Sequence, residues 1–120
     1  MTERVQGIGG VFFRARDPEA LKRWYGEHLG VDFEDYGATF KATHGDQTVW
    51  APMAAETEYF GRRDQQGMIN YRVRDLDAMV AQLRGAGVDV DEHGEEHEYG
   101  RFAWATDPEG NRFELWEPKR

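Results

Sequence analysis

The sequence carries the same short motif twice. Residues 13–17 read FRARD and residues 71–75 read YRVRD, so each copy runs aromatic, arginine, apolar, arginine, aspartate. Each copy precedes a stretch with helical spacing of apolar residues, and these stretches end in LGV at 29–31 and AGV at 86–88. A repeat that spans nearly half of a 120-residue chain predicts two similar modules in one domain.

The first module is predicted to begin with a strand and continue into a helix. Residues 10–16 alternate in the manner of a strand. Asp17 is a favourable N-cap, and Pro18 suits the first helical position, where no N–H is needed. Three short strands are expected at 31–36, 39–44 and 47–53, and the aperiodic residues 54–66 are interpreted as a linker.

The second module repeats this plan. A strand is predicted at 68–74, a helix after Asp75, a polar edge strand at 88–98, and two strands at 101–106 and 112–117 around the turn at 107–110. The predicted fold class is α+β: two βαβββ modules, about 7–53 and about 67–118, whose curved mixed sheets form a cup. The linker between them is about 54–66.

Composition excludes several classes of partner. Lys and Arg number 15 against 23 Asp and Glu, a net charge of −8, which argues against nucleic acid and anionic membranes. No apolar run reaches the length of a membrane span, and the N-terminus lacks a signal-peptide pattern. Cysteine is absent, so we expect no disulfides. A cytoplasmic location is therefore expected.

Three segments resemble the vicinal oxygen chelate superfamily, which includes glyoxalase I, bleomycin-resistance proteins and extradiol dioxygenases. They are DPEALKRWYGEHLG at 17–30, VRDLDAMVAQLRGAGV at 73–88 and DPEGNRFELWEP at 107–118. The last segment is the most specific, because Asp-Pro-x-Gly-Asn before an apolar-Glu-Leu strand is characteristic of the family's final hairpin. The resemblance implies two modules around a ligand cup, usually in a homodimer.

The resemblance also implies four positions for a divalent metal, typically occupied by His or Glu. They fall on Gly10, near Trp50, near Met68 and on Glu114. Only Glu114 is a suitable ligand, so we expect no metal centre of the family type and no cofactor. An atypical divalent-metal site is the alternative. The histidines at 28, 44, 93 and 97 are interpreted as surface residues.

Strand alternation predicts which side chains face the cup. The ligand-binding set is Phe12, Arg14, Trp50, Met68, Asn70, Arg72, Phe102, Trp104 and Trp116. Apolar walls with few polar groups are typical of a small-molecule pocket, although these aromatic rings would also suffice to fill the cup completely. Glu114 has three candidate roles: a structural ion pair with Arg14, Arg72 or Arg112, a ligand anchor, or a catalytic base.

Three functions are compatible with these patterns. The first is a metal-independent small-molecule binder that resembles the bleomycin-resistance branch. The second is a lyase, isomerase or dioxygenase with an atypical metal site or with Glu114 as its base. The third is a dimeric interaction module.

Overall fold

The computed structural model describes residues 2–42 and 45–119. Its elements are β1 (Val5–Ala15), α1 (Pro18–Leu29), β2 (Ala38–Lys41), β3 (Gln47–Ala54), β4 (Gly67–Val73), α2 (Leu76–Gly85), β5 (Asp89–Val90), β6 (Glu95–His97), β7 (Gly100–Thr106) and β8 (Arg112–Pro118). The predicted α+β class, with parallel and antiparallel strand pairs, is confirmed. No helix in the described ranges is long and apolar enough to cross a membrane.

The chain forms two compact units. The central unit is Gly10–Met68, and the terminal unit joins the segment up to Gly9 to the segment from Ile69 onward. β1 and β4 each contribute residues to both units.

In the central unit, β3 lies between two strands. It pairs in parallel with β1, with Gly10 opposite Val49 and Ala15 opposite Ala54. It pairs antiparallel with β2. α1 begins as predicted, because the Asp17 side chain accepts a hydrogen bond from the Ala20 N–H at 3.0 Å.

The prediction that Trp50 shares a face with Phe12 and Arg14 is wrong. Trp50 lies opposite Val11, and Ala51 lies opposite Phe12. Because side chains alternate along a strand, this register turns Trp50 to the other face. Its ring packs there against Phe13, Tyr25 and Phe33, with centroid distances of 5.3, 4.7 and 5.7 Å.

The strand predicted at 31–36 does not form. Only a single bridge joins Glu34 to Gly37, which closes a tight turn in which Gly37 has a φ of 139°. Phe33 of this segment packs instead on Trp50, with a centroid distance of 5.7 Å. The next predicted strand is confirmed as β2, although Thr43 and His44 lie outside the described residues.

In the terminal unit, β8 lies between β4, which is parallel, and β7, which is antiparallel. β5 and β6 both pair antiparallel with β7. α2 packs on one face of these strands, where Leu76 and Met79 join Val73, Ala103 and Leu115 in a buried core. The apolar stripe predicted for α2 is thus confirmed.

The single polar strand predicted at 88–98 is wrong, because it divides into β5 and β6. Arg84 of α2 donates to the backbone oxygens of Asp91 and Glu92, at 2.8 and 3.4 Å. The backbone at Gly94 lies so close to β7 that a Cβ atom there would be 2.5 Å from the Phe102 carbonyl oxygen. These contacts hold residues 91–94 out of a continuous strand.

Candidate functional site

Six of the predicted site residues lie in two adjacent rows across β4, β8 and β7 of the terminal unit. Strand register aligns Asn70, Glu114 and Trp104 in one row, and Arg72, Trp116 and Phe102 in the next. The residues between them point to α2, as the burial of Leu115 and Ala103 under that helix indicates. Strand alternation therefore placed these six residues correctly relative to one another.

Glu114 is the buried carboxylate at the centre of this face, with 1% of its surface exposed. Its Oε1 accepts a hydrogen bond from Asn70 Nδ2 at 2.6 Å, and its Oε2 accepts one from Trp104 Nε1 at 2.9 Å. The Arg112 guanidinium lies over the Trp104 ring, 5.3 Å from its centroid. Both oxygens of this buried side chain are therefore engaged by N–H donors from neighbouring strands.

The Asn70 amide presents a buried acceptor beside that carboxylate. No donor from residues 2–42 or 45–119 reaches Asn70 Oδ1, although the residue is only 2% exposed. This oxygen points at Gly9, where an added Cβ atom would be 2.2 Å away. A buried acceptor of this kind is costly unless some donor reaches it, so Asn70 Oδ1 is a candidate acceptor for a donor from outside the chain.

Two glycines of β1 make room for this face. A Cβ atom at Gly9 would also be 2.8 Å from the Trp116 ring, and one at Gly7 would be 2.6 Å from Arg72 Nη2. Arg72 is itself buried and donates from Nη1 to the Ile8 carbonyl oxygen at 3.0 Å. The sequence reasoning missed both glycines, and their spacing of two within a strand is the signal that would have identified them.

Trp116 and Phe102 form the apolar part of the face. Their rings are parallel to within 2°, with centroids 6.1 Å apart. Trp116 donates from Nε1 to the Tyr99 carbonyl oxygen at 3.0 Å, which fixes the orientation of the indole. The Trp116 ring is therefore held by its own hydrogen bond, with the Phe102 ring parallel to it.

Arg14 of the central unit has its donors directed at its own unit's backbone. Its Nε donates to the Gln65 carbonyl oxygen, its Nη1 to those of Ala55 and Thr57, and its Nη2 to that of Arg62, all between 2.7 and 2.9 Å. The same guanidinium lies 5.0 Å from the centroid of the fully buried Phe60 ring. Residues 54–66 are thus folded around Arg14.

Phe12 and Met68 are the remaining predicted site residues of the central unit. Phe12 makes an edge contact with Tyr59 at a centroid distance of 6.4 Å, and Met68 is buried. Ligand contact by Phe12, Arg14 and Met68 stays a prediction.

The residues present do not fit a divalent metal of the family type. Both Glu114 oxygens already accept N–H donors, and a cation would have to compete with them. The matched positions Gly10 and Met68 offer no hard ligand, and the register places Val49 or Ala51 at the remaining one. Among the described residues, no group of three His, Cys, Asp or Glu side chains is arranged to hold a metal.

A family model for a glyoxalase-like domain matches residues 10–116. The chain belongs to the glyoxalase-like domain family. This places it in the vicinal oxygen chelate superfamily, as the motifs at 17–30, 73–88 and 107–118 suggested. A comparison with curated protein sequences finds no match.

Solved structures with the same fold include several methylmalonyl-CoA epimerases. The Mycobacterium tuberculosis enzyme is 24% identical, with a TM-score of 0.67 over 100% of this chain and 93% of that one. A variant of the Streptomyces coelicolor enzyme in complex with 2-nitronate-propionyl-CoA is 17% identical, with a TM-score of 0.75 over 98% and 100%.

A third solved structure with this fold is not described as an epimerase. It is described as NAD-dependent benzaldehyde dehydrogenase from Legionella pneumophila, and it is 16% identical, with a TM-score of 0.62 over 92% of this chain and 98% of that one. At these identities the likeness to all three structures establishes the fold alone.

Proposed function

We propose that this glyoxalase-like protein binds a small molecule at the Glu114 face of the terminal unit without a divalent metal. The ligand is an aromatic or amphipathic compound that carries an N–H or O–H donor. The donor reaches Asn70 Oδ1, and the apolar part lies along Phe102 and Trp116.

The proposal rests on two neighbouring groups. One is a buried carboxyl group that already accepts hydrogen bonds, and the other is a buried amide oxygen that accepts none from the described residues. Asn70 Nδ2 and Trp104 Nε1 already hold Glu114, while Asn70 Oδ1 receives no donor from the described residues. Satisfying a buried acceptor gains about 1–3 kcal/mol relative to leaving it unpaired, which rewards a ligand that brings its own donor. An apolar ligand of the same shape would forgo that gain.

Tryptophan fluorescence offers a direct test, since Trp104 and Trp116 both lie in the site. We expect a donor-bearing ligand from a compound library to change the emission in a saturable manner. In Asn70→Leu, which removes the acceptor, its affinity should fall by about tenfold or more. Trp24→Phe is the control, because it removes a half-exposed indole on α1 and should leave the signal intact. Equal binding by Asn70→Leu and the unmodified protein would refute the proposal.

The first compounds to test come from the structural neighbours. The Streptomyces coelicolor epimerase is described in complex with 2-nitronate-propionyl-CoA, and the epimerases are named for methylmalonyl-CoA. Both compounds are acyl thioesters whose pantetheine arm carries amide donors, so they are reasonable probes for Asn70 Oδ1.

A second candidate function is an isomerase that uses Glu114 as a base. It is supported by a buried carboxylate on the last strand and by neighbours that are epimerases. Each Glu114 oxygen already accepts one N–H, so a substrate proton would have to share that oxygen with Asn70 or Trp104. We expect no more deuterium in methylmalonyl-CoA incubated in D₂O than without protein. Incorporation that disappears in Glu114→Gln would make this function the better one.

The proposal extends to assembly and location. By analogy with its superfamily, the protein is proposed to form a homodimer in the cytoplasm. Phe40 is about half exposed on β2, which is an edge strand of the sheet, and it gives an apolar side chain for such a contact. Sedimentation that shows only monomer at micromolar concentration would contradict the dimer.

A further inference from the structure

The short strand β6 carries a glutamate and a histidine on the ligand side of the terminal unit. Register pairs Glu95 with Phe102 and His97 with Gly100. Residues directly opposite each other in paired strands share a face, and so do residues two apart along one strand. Glu95 and His97 therefore lie on the same face as Phe102 and Trp116, the apolar part of the proposed ligand site.

The imidazole of His97 extends the row of aromatic rings on this face. Its centroid is 5.8 Å from that of Phe102, and the Phe102 centroid is 6.1 Å from that of Trp116. Gly100, which lies opposite His97, has no side chain that could cover the imidazole, and 53% of the His97 side chain is exposed. The imidazole is therefore accessible at the outer end of a row of three rings.

Glu95 determines which nitrogen of this imidazole carries the proton. The distance from His97 Nε2 to Glu95 Oε1 is 2.7 Å. An ionised carboxylate can only accept a hydrogen bond, so an uncharged imidazole bonded in this way has its proton on Nε2. The lone pair is then on Nδ1. His97 therefore offers a defined hydrogen-bond acceptor at the edge of an aromatic surface.

We propose that the ligand site extends to His97 and that the ligand is a hydroxyaromatic compound whose O–H group donates to His97 Nδ1. Its ring lies along Phe102 and Trp116, because aromatic pairs add to the gain from apolar contact. Asn70 on β4 and His97 on β6 lie on opposite sides of β7 and β8, so the two contacts hold opposite ends of one molecule. The ligand is the one that the Glu114 face binds, so this role of His97 rests on the proposed function.

The test compares two probes, 3-(4-hydroxyphenyl)propan-1-ol and 3-(4-methoxyphenyl)propan-1-ol. Both keep the alcohol O–H group, and only the first has a phenol O–H group. At about pH 8 imidazoles are neutral and phenols keep their proton. Long-range proton–nitrogen NMR spectra of the full chain report on each imidazole nitrogen. We expect the phenol to shift the His97 Nδ1 signal in a saturable manner and the methyl ether to leave it nearly unchanged.

The exposed histidines His28 and His93 serve as controls within the same spectra. Neither should respond to the phenol as His97 does. No saturable shift of His97 up to about 10 mM phenol, or an equal shift at all three histidines, would overturn the role of His97.

Substitution of the imidazole tests the hydrogen bond separately from the ring. His97→Phe keeps an aromatic ring and removes both nitrogens, so it should weaken binding of the phenol by about threefold or more and that of the methyl ether by less than about twofold. His93→Phe makes the same change at an exposed position before β6 and should alter neither affinity by more than about twofold. An unchanged phenol affinity in His97→Phe, or equal weakening of both probes, would contradict the hydrogen bond.

The role of Glu95 has a spectroscopic signature of its own. The nitrogen signals of His97 should show the tautomer protonated on Nε2. In Glu95→Gln both tautomers should appear, because an amide can either donate or accept. Glu96→Gln, on the opposite face of β6, should keep the single tautomer, since Glu96 pairs with Arg101 rather than with Phe102. A His97 protonated on Nδ1 in the unmodified protein would refute the acceptor.

The same two probes separate the His97 contact from the Asn70 contact of the proposed function. Asn70→Leu should weaken both probes alike, because each keeps the alcohol O–H group that can reach Asn70 Oδ1. A preference for the phenol that survives Asn70→Leu but not His97→Phe would support His97 even if Asn70 made no contact. Weakening of both probes by Asn70→Leu, with no preference for the phenol in any variant, would support Asn70 and refute His97.

Discussion

Two neighbouring side chains help to hold Glu114 in the interior. Transfer of a carboxylate from water costs several kcal/mol, and hydrogen bonds must recover most of that cost. Asn70 and Trp104 supply one N–H to each Glu114 oxygen from the strands on either side. The indole of Trp104 is therefore as important for its N–H as for its apolar area.

Loss of that N–H should be costly. We expect Trp104→Phe to lower the free energy of unfolding by about 2–4 kcal/mol, because the buried Glu114 carboxyl group loses a hydrogen-bond donor and a cavity opens. Urea denaturation of the full chain measures this change. Trp24→Phe, at a site that is 50% exposed, should cost about 0.5 kcal/mol or less. Similar losses in the two variants would mean that the Trp104 N–H does not stabilise the buried Glu114 side chain.

Gly9 is the other residue on which this face depends. In Gly9→Ala the new methyl group would meet Asn70 Oδ1 at 2.2 Å and the Trp116 ring at 2.8 Å, so one of them must move. We expect a loss of about 1–3 kcal/mol in stability, together with weaker binding of any ligand that uses Asn70. Gly85→Ala is the control, because nothing lies within 4 Å of that position in α2 and helix propensity favours alanine. A neutral Gly9→Ala would contradict the tight approach of β1 to Asn70.

At the scale of helices and strands, the sequence predicted best the features that depend on neighbouring residues in the chain, such as the starts of the two helices. Asp17 and Asp75 cap α1 and α2 in the same way, each accepting an N–H three residues later at 3.0 Å. The prediction for 88–98 failed because tertiary contacts of Arg84 and Gly94 interrupt the strand, and these contacts leave no trace in local periodicity. The face of Trp50 was predicted wrongly for a similar reason. A shift of one residue in strand register turns every side chain of the strand to the opposite face of the sheet.

The loop at 54–66 is held by several hydrogen bonds from one arginine. Its backbone oxygens at Ala55, Thr57, Arg62 and Gln65 all accept hydrogen bonds from Arg14. The single ammonium group of a lysine cannot donate to all of these oxygens at once, so Arg14→Lys should loosen the loop before the rest of the unit unfolds.

Limited trypsin digestion detects that loosening. We expect Arg14→Lys to be cut after Arg62 and Arg63, which are exposed, at least about tenfold faster than the unmodified protein. Arg16→Lys, a change of the same type at an exposed position two residues on, should not alter the rate. Unchanged cleavage of Arg14→Lys would show that the loop keeps its fold without the guanidinium.

The ion pair between Asp77 of α2 and Arg101 of β7 predicts how the stability of the protein depends on pH. Arg101 donates two hydrogen bonds to Asp77 and lowers the pKa of that carboxyl below its ordinary value of 3.8. A lowered pKa means that the stabilising contribution is complete above pH 3.8 and is lost as the pH falls through the folded-state value.

An NMR titration of the Asp77 side chain should give a midpoint below 3.8, and Arg101→Gln should raise it towards that value. Arg84→Gln, which removes an arginine that contacts backbone oxygens, should leave the midpoint unchanged. An equal midpoint in Arg101→Gln and the unmodified protein would refute the assignment of the pKa shift to Arg101.

At the scale of the whole molecule, the repeat preserves the scaffold of each unit. Phe13 and Tyr71 pack with aromatic rings of their own units, and Arg14 and Arg72 both donate to backbone oxygens. The sequence could predict these matched positions because both copies serve the same packing role. It could not predict what Asn70, Trp104 and Glu114 do together, because the bond from Asn70 to Glu114 requires β4 to pair with β8, and these two residues are 44 positions apart in the chain.

Metal independence is the prediction that concerns the whole molecule. Protein purified without added metal should contain well below one equivalent of zinc, nickel, manganese or iron, because Glu114 is the one hard ligand among the four positions that the superfamily uses. A ligand that binds only the folded state raises the midpoint of thermal unfolding, so these ions should leave that midpoint unchanged, as should a chelator. Stoichiometric metal that is lost in Glu114→Ala would contradict the prediction. Metal that survives Glu114→Ala but is lost when His93 and His97 are replaced by alanine would come from the exposed histidines and would leave the prediction intact.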